Sequence, residues 1–153
     1  MWNRKSSVTL SLVVCLIMTA LLTAAVCLGP WVVDRWFGAY RGWNPASIGY
    51  MLTLFVSTFY PCAVFAYGAL YNLVRLLLNI RRDDTFVPRN VVYLRRISWC
   101  CFIVAGITAV SCAFYLPYAM VAIAAAFAGL MLRVVKNVMQ SAVEIREENE
   151  LTI

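Results

Sequence analysis

The most reactive side chains in this sequence are six cysteine thiols, a residue type that forms disulfides and binds soft metals. They are Cys15, Cys27, Cys62, Cys100, Cys101 and Cys112. No Cys-x-x-Cys pair occurs, and the adjacent pair at 100 and 101 would point about 100° apart on a helix, which suits neither one metal ion nor a disulfide. A bridge between Cys27 and Cys112 stays open. Otherwise we expect these thiols to behave as small apolar side chains inside helices.

The other common catalytic side chains are missing or badly placed. The chain has no histidine, which removes the Ser-His-Asp and Cys-His pairs and the His-ligated zinc and haem sites. Asp83 and Asp84 are adjacent, but Arg81, Arg82 and Arg89 flank them, which favours ion pairing over the binding of a hard cation. We therefore predict no catalytic residue, no metal site and no cofactor, and we expect that the protein is not an enzyme.

Any reactive side chains must be positioned by four long apolar segments of the chain. Of its 153 residues 63% are hydrophobic, and the mean hydropathy is +0.80. A membrane crossing needs about 20 mostly apolar residues, so we predict spans at residues 8–28, 48–72, 97–116 and 119–136. The predicted fold class is all-α, a four-helix transmembrane bundle that forms a single integral membrane domain over residues 1–153.

Proline, glycine and helix length refine this prediction. Gly29-Pro30 is expected to end the first helix, and the aromatic-rich residues 30–47 that follow are expected to lie at the membrane interface. Pro61 is expected to kink the second helix. A helix of residues 48–80 would be longer than the hydrocarbon core is thick. In the fourth helix, apolar residues keep helical spacing after residue 136. Helices two and four are therefore predicted to extend into the cytoplasm.

The positions of the basic residues predict the orientation. The net charge is +6. If both termini and the connection at residues 79–96 are cytoplasmic, eleven of the thirteen Lys and Arg residues lie inside, and only Arg35 and Arg41 lie outside. This distribution predicts an N-in/C-in multi-pass membrane protein. The positive charge then determines how the protein is oriented in the membrane and attracts anionic lipid headgroups. We expect no direct binding of nucleic acid.

Two short motifs resemble those of a known family. Asn79-Ile80, Phe86, Asn90 and Leu94-Arg95 have the spacing of the central motif of the bacterial four-helix membrane proteins catalogued as domain of unknown function 2975. The end of the chain, Glu147-Glu148-Asn149-Glu150-Leu151-Thr152-Ile153, resembles that family's closing motif. The resemblance covers essentially the whole chain and implies a location in the bacterial cytoplasmic membrane, but it supplies no catalytic or ligand residue. Members are often encoded beside a small helix-turn-helix transcription regulator of the Cro/repressor type, which the resemblance implies as a partner.

Both motifs fall on the predicted cytoplasmic side, where a basic connection and an acidic tail at residues 144–153 attract each other. One interpretation is that the tail folds back on the connection as a latch, each exposed pair contributing little. The other is that this surface docks a cytoplasmic protein. Asn90 is also expected to cap the third helix. The residues predicted to form the cytoplasmic interaction face are Asn79, Arg81, Arg82, Phe86, Asn90, Arg95, Glu147, Glu148, Glu150, Leu151 and Ile153.

The favoured function is a non-enzymatic membrane sensor or regulatory partner, which signals by docking a cytoplasmic helix-turn-helix regulator. The alternative is a small permease or export/immunity component, with Pro61 as a hinge and the aromatic residues 30–47 as a gate. No ionisable side chain lies deep in a predicted span, which disfavours proton-coupled export. Whether the protein forms a homo-oligomer stays open. A transport path would need these polar side chains to converge: Thr19, Thr23, Ser57, Thr58, Asn72, Thr108 and Ser111.

Overall fold

The computed structural model describes residues 4–39, 45–82 and 87–151, with side chains described for residues 6–35, 49–82 and 87–149. These residues form four α-helices: α1 (Arg4–Ala39), α2 (Pro45–Arg81), α3 (Pro88–Cys112) and α4 (Tyr118–Leu151). Each helix contains a stretch that is long and apolar enough to cross a membrane. The prediction of an all-α chain with four such helices is confirmed, and this architecture is that of a small multi-pass membrane protein.

Consecutive helices pack side by side and run antiparallel. α1 contacts α2, α2 contacts α3, and α3 contacts α4; among the described residues no other pair of helices brings its Cα atoms within 8 Å. The four helices therefore form an up-and-down series in which each packs on its neighbours in sequence, and we call this series the row. Most of the large apolar side chains are exposed on the surface of this row, as expected when the surrounding solvent is lipid and apolar surface gains little from packing against another helix.

The first helix does not end at Gly29-Pro30, as the sequence predicted, but continues to Ala39. Pro30 has no N–H, so the carbonyl of Val26 loses its usual helical donor. The hydroxyl of Tyr60 in α2 donates to this carbonyl at 3.2 Å. A proline is tolerated inside a membrane helix when a neighbouring helix supplies such a bond. The described parts of the predicted interfacial segment are thus the ends of α1 and α2, and their position at the membrane interface stays a prediction.

The predicted connection at residues 79–96 is also mostly helical. α2 continues to Arg81 and α3 begins at Pro88. Proline suits the first position of a helix, where no N–H partner is needed, and it favours an extended residue before it. Val87 has that conformation, with φ −122° and ψ 138°. The span predicted at residues 97–116 therefore begins within a longer helix and ends at Cys112, after which hydrogen-bonded turns lead to α4. α2 is one continuous helix that contains Pro61, and it spans the predicted residues 48–80.

Candidate functional site

The antiparallel order of the helices gathers nearly all the basic side chains at one end of the row. We call this end, formed by residues 75–82 of α2, 87–96 of α3 and 133–149 of α4, the basic end. Among the Lys and Arg side chains that the structure describes, only Arg35 lies at the opposite end. The described part of the predicted interaction face therefore lies on one side of the molecule.

A pair of side-chain amides joins α2 to α3 at the basic end. Nδ2 of Asn79 donates to Oδ1 of Asn90 at 2.9 Å, and Asn90 is completely buried. Leu94, one turn further along α3, is also buried. The central motif thus makes a contact between two helices. The predicted capping role of Asn90 is wrong, because α3 starts earlier, with Val87 as its N-cap residue, and the Asn90 carbonyl oxygen is turned toward α2.

The two arginines that end α2 are exposed beside this amide pair. Arg81 and Arg82 follow Asn79 by two and three residues, so the contact between Asn79 and Asn90 fixes their position relative to the start of α3. Within the described part of the chain, neither arginine forms an ion pair. Arg95 is also exposed, one turn beyond Asn90 on α3. These three predicted face residues are therefore accessible, whereas Asn90 contributes by holding the helices together.

The acidic tail is the end of α4, which continues past the level at which α3 begins. Oγ of Ser98 in α3 donates to the carbonyl of Gly129 in α4 at 2.8 Å, and this antiparallel register places Pro88 level with residue 139. Residues 140–151 of α4 therefore continue for about 18 Å of helix beyond this level at 1.5 Å per residue, and Val143 among them is buried. Residues 144–149 are exposed. The described part of the tail is thus the helical end of α4, and the two interpretations of the tail stay predictions.

Four residues of the predicted face have side chains outside the described part of the structure: Phe86, Glu150, Leu151 and Ile153. For Leu151 only the backbone is described, as the last residue of α4. Glu147 and Glu148 are described and exposed, and Glu148 makes an interaction within the protein. For the four undescribed side chains, membership of the face stays a prediction.

A cluster of basic and aromatic side chains at the basic end was not predicted from the sequence as a site. Arg95, Ser98, Trp99 and Phe102 of α3 and Arg133 and Lys136 of α4 line a pocket of about 50 Å³. The guanidinium of Arg133 lies over the Trp99 ring, 6.0 Å from its centroid, within the range of a cation–π interaction. The helical spacing within α3 and within α4 was visible in the sequence. The register that brings these two sets together was not.

Comparison with known families settles the membership of the chain. Residues 8–153 match the family described as Protein of unknown function (DUF2975). The chain belongs to this family. The match spans all four helices and includes both motifs, so the resemblance that the motifs indicated is confirmed. No curated protein and no solved structure matches the chain.

In this DUF2975 protein, the polar side chains considered for a transport path are mostly bonded within the helices. The hydroxyls of Thr58 in α2 and Ser111 in α3 lie 2.7 Å apart. Asn72 donates to the Gly68 carbonyl, and its own Oδ1 is buried without a partner. Bonding of a hydroxyl to a carbonyl one turn earlier is common in helices and needs no functional explanation. The hydroxyls bonded in this way are those of Thr19, Thr23, Ser57, Thr108 and Ser111.

A cavity of about 290 Å³ lies between the helices toward the end opposite the basic end, and all four helices line it. Its walls are largely aromatic and aliphatic, with Leu22 from α1, Phe55 from α2 and Val121 from α4 among them. Thr58 and Thr108 also line it, but their hydroxyls are engaged as described above. Selective passage of a hydrated solute needs polar groups along its path. The described residues that line this cavity do not provide such a series of polar groups.

The six cysteines of this DUF2975 protein are free thiols. Cys27 of α1 and Cys112 of α3 therefore do not form the bridge that the sequence left open. Within the described residues, no group of three Cys, Asp or Glu side chains lies close enough together to hold a metal ion. All six thiols lie on helices. Cys15 is buried, Cys27 is exposed, and the other four are partly buried.

Proposed function

We propose that this DUF2975 protein is a non-enzymatic membrane sensor or regulatory partner, which docks a cytoplasmic helix-turn-helix regulator at its basic end. The proposal includes an N-in/C-in orientation in the bacterial cytoplasmic membrane, with α2 and α4 extending into the cytoplasm. The gathering of the basic side chains at one end supports this orientation, because cytoplasmic segments carry an excess of Lys and Arg.

The observation that carries the proposal is the exposed acidic end of α4. Residues 144–149 of this helix are exposed, and they include Glu144 and Glu147. A protein that binds DNA carries a basic surface, and an acidic helix attracts that surface electrostatically. A regulator held there would have its DNA-binding face covered. This would keep it from its operator for as long as it stays docked.

The test co-expresses this protein with the helix-turn-helix regulator encoded beside its gene and measures the regulator in membrane and soluble fractions. We expect the regulator to move to the membrane fraction, and the double variant Glu144→Lys/Glu147→Lys to return most of it to the soluble fraction. Arg35→Gln, which changes a charge at the opposite end, is the matched control and should retain the regulator. The proposal would be contradicted if the regulator is equally soluble with and without the membrane protein. It would also be contradicted if deleting residues 147–153 does not change the fraction of regulator at the membrane.

The alternative of a small permease or export/immunity component lacks comparable support. It required polar side chains that converge on a path between the helices. Most of those hydroxyls bond to backbone within their own helices, and the cavity near them has a largely apolar lining.

A further inference from the structure

The pocket between α3 and α4 at the basic end has the chemistry of an anion site. Arg95, Arg133 and Lys136 bring three cationic side chains from two helices to one small volume. No acidic side chain of the described residues pairs with any of the three, and Lys136 donates only to the neighbouring Asn137 side chain. Like charges repel at short range, so such a cluster is stabilised when an anion lies among them.

The level of the pocket along the helices indicates where this anion comes from. The contacts from Asn79 to Asn90 and from Ser98 to Gly129 place Arg75, Arg95 and Arg133 at about the same height. Beyond this height the chain has no charged residue from position 97 to position 132, and the part of α3 at residues 97–112 alone spans about 24 Å. The pocket therefore lies at the boundary of the apolar region, which is the depth of lipid phosphate groups.

The walls of the pocket divide into a polar and an apolar part, as a lipid requires. Ser98 is buried and closes the inner wall by donating to the Gly129 carbonyl. Gly129 allows this close approach, since a side chain there would meet the Phe102 ring at 3.3 Å. Trp99 is 55% exposed and continues the pocket toward the apolar region, while the Arg133 guanidinium lies over its ring. An acyl chain can pack on Trp99 and Phe102 below a phosphate held by the cations.

The size of the pocket fits the phosphate and not a whole lipid. One water needs about 10–15 Å³ of such space, so a pocket of 50 Å³ admits a group of several heavy atoms. We infer that Arg95, Arg133 and Lys136 bind the phosphate group of an anionic phospholipid in the leaflet next to the basic end, with Trp99 and Phe102 against its acyl chain. Basic pockets between membrane helices at this depth suit such headgroups. This inference is independent of the regulator proposed above.

The test measures lipid binding by native mass spectrometry of the full-length protein in neutral detergent. Phosphatidylglycerol is the anionic probe, and phosphatidylcholine, a zwitterion without net charge, is the comparison. Arg95→Gln and Arg133→Gln should each weaken phosphatidylglycerol binding by about fivefold, the factor that one charge near a membrane surface contributes. Arg96→Gln is the matched control. It removes the same charge from the next position of α3, about 100° around the helix, and should change binding less than twofold.

Equal weakening by all three glutamine variants would overturn the inference, because it would mean general charge attraction with no defined site. Displacement of the lipid by millimolar inorganic phosphate, with the same dependence on Arg133, would assign the site to a soluble phosphate and overturn the lipid assignment. Arg133→Lys keeps the charge and should bind within about threefold of the natural protein. If this variant has native helicity by circular dichroism yet binds as weakly as Arg133→Gln, the inferred role of charge is wrong.

Discussion

The bond from Tyr60 to Val26 leads to a prediction about how α1 passes through Pro30. Tyr60→Phe removes only the hydroxyl oxygen, which leaves the Val26 carbonyl without either its helical donor or its donor from α2. Hydrogen bonds between membrane helices contribute about 0.6 kcal/mol on average and up to about 1.7 kcal/mol. The O···O distance of 3.2 Å is long for a hydroxyl donor, but Pro30 cannot supply the usual backbone N–H to this carbonyl. We therefore expect a loss of about 1 kcal/mol.

The assay is reversible unfolding of the purified protein in mixed micelles of neutral detergent and dodecyl sulfate, followed by circular dichroism. A loss of about 1 kcal/mol corresponds to about a fivefold larger unfolding constant. Pro30→Ala restores an N–H that can donate to the Val26 carbonyl, so Tyr60→Phe should cost almost nothing in that background. The coupling energy of this double-mutant cycle should thus be about 1 kcal/mol.

The control is Tyr115→Phe, which removes a phenol hydroxyl of similar exposure that makes no hydrogen bond within the described residues. It should leave the unfolding constant unchanged. If Tyr60→Phe costs the same with Pro30 as with alanine at that position, the hydroxyl does not replace the missing backbone bond, and our explanation of why α1 continues to Ala39 is wrong.

Three further substitutions test the packing between helices by the same unfolding assay. Asn90→Ala should lower the free energy of unfolding by about 1–3 kcal/mol, because it leaves buried polar groups without a partner, whereas Arg89→Ala on the exposed side should have little effect. Gly129→Ala should loosen the contact between α3 and α4, since its methyl group meets a ring at 3.3 Å, while Gly106→Ala meets nothing within 4 Å and should be neutral or stabilising. Thr58→Val should cost less than about 1 kcal/mol, because the partner hydroxyl keeps its bond to a backbone carbonyl.

The existence of the four helices could be predicted because their signal is local. A run of about 20 apolar residues specifies a membrane helix wherever it occurs in a chain. The helix ends could not be predicted as well, because they depend on partners that lie far away in the sequence. Gly29-Pro30 is normally a signal for a helix end, but Tyr60 lies 30 residues later and supplies the missing bond.

The candidate sites depend on register, which one sequence does not reveal. The family motif identified Asn79 and Asn90 as important positions, but only the antiparallel packing of α2 and α3 shows that the two amides bond to each other. Arg95 and Arg133 are 38 residues apart and each looks like an ordinary basic residue at a membrane boundary. Their common pocket follows from the contact between Ser98 and Gly129, and neither residue type predicts that contact.

The sequential packing of the row has a consequence for biosynthesis. Each helix packs on its neighbours in sequence, so every new helix that enters the membrane finds its packing partner already inserted next to it. Assembly can then proceed in the order of translation, and no early helix has to wait for a distant one. A chain released after α3 would already contain the bonds that join α1 to α2 and α2 to α3. The amide pair of Asn79 and Asn90 could thus form before α4, with Arg133 and the acidic tail, has been made.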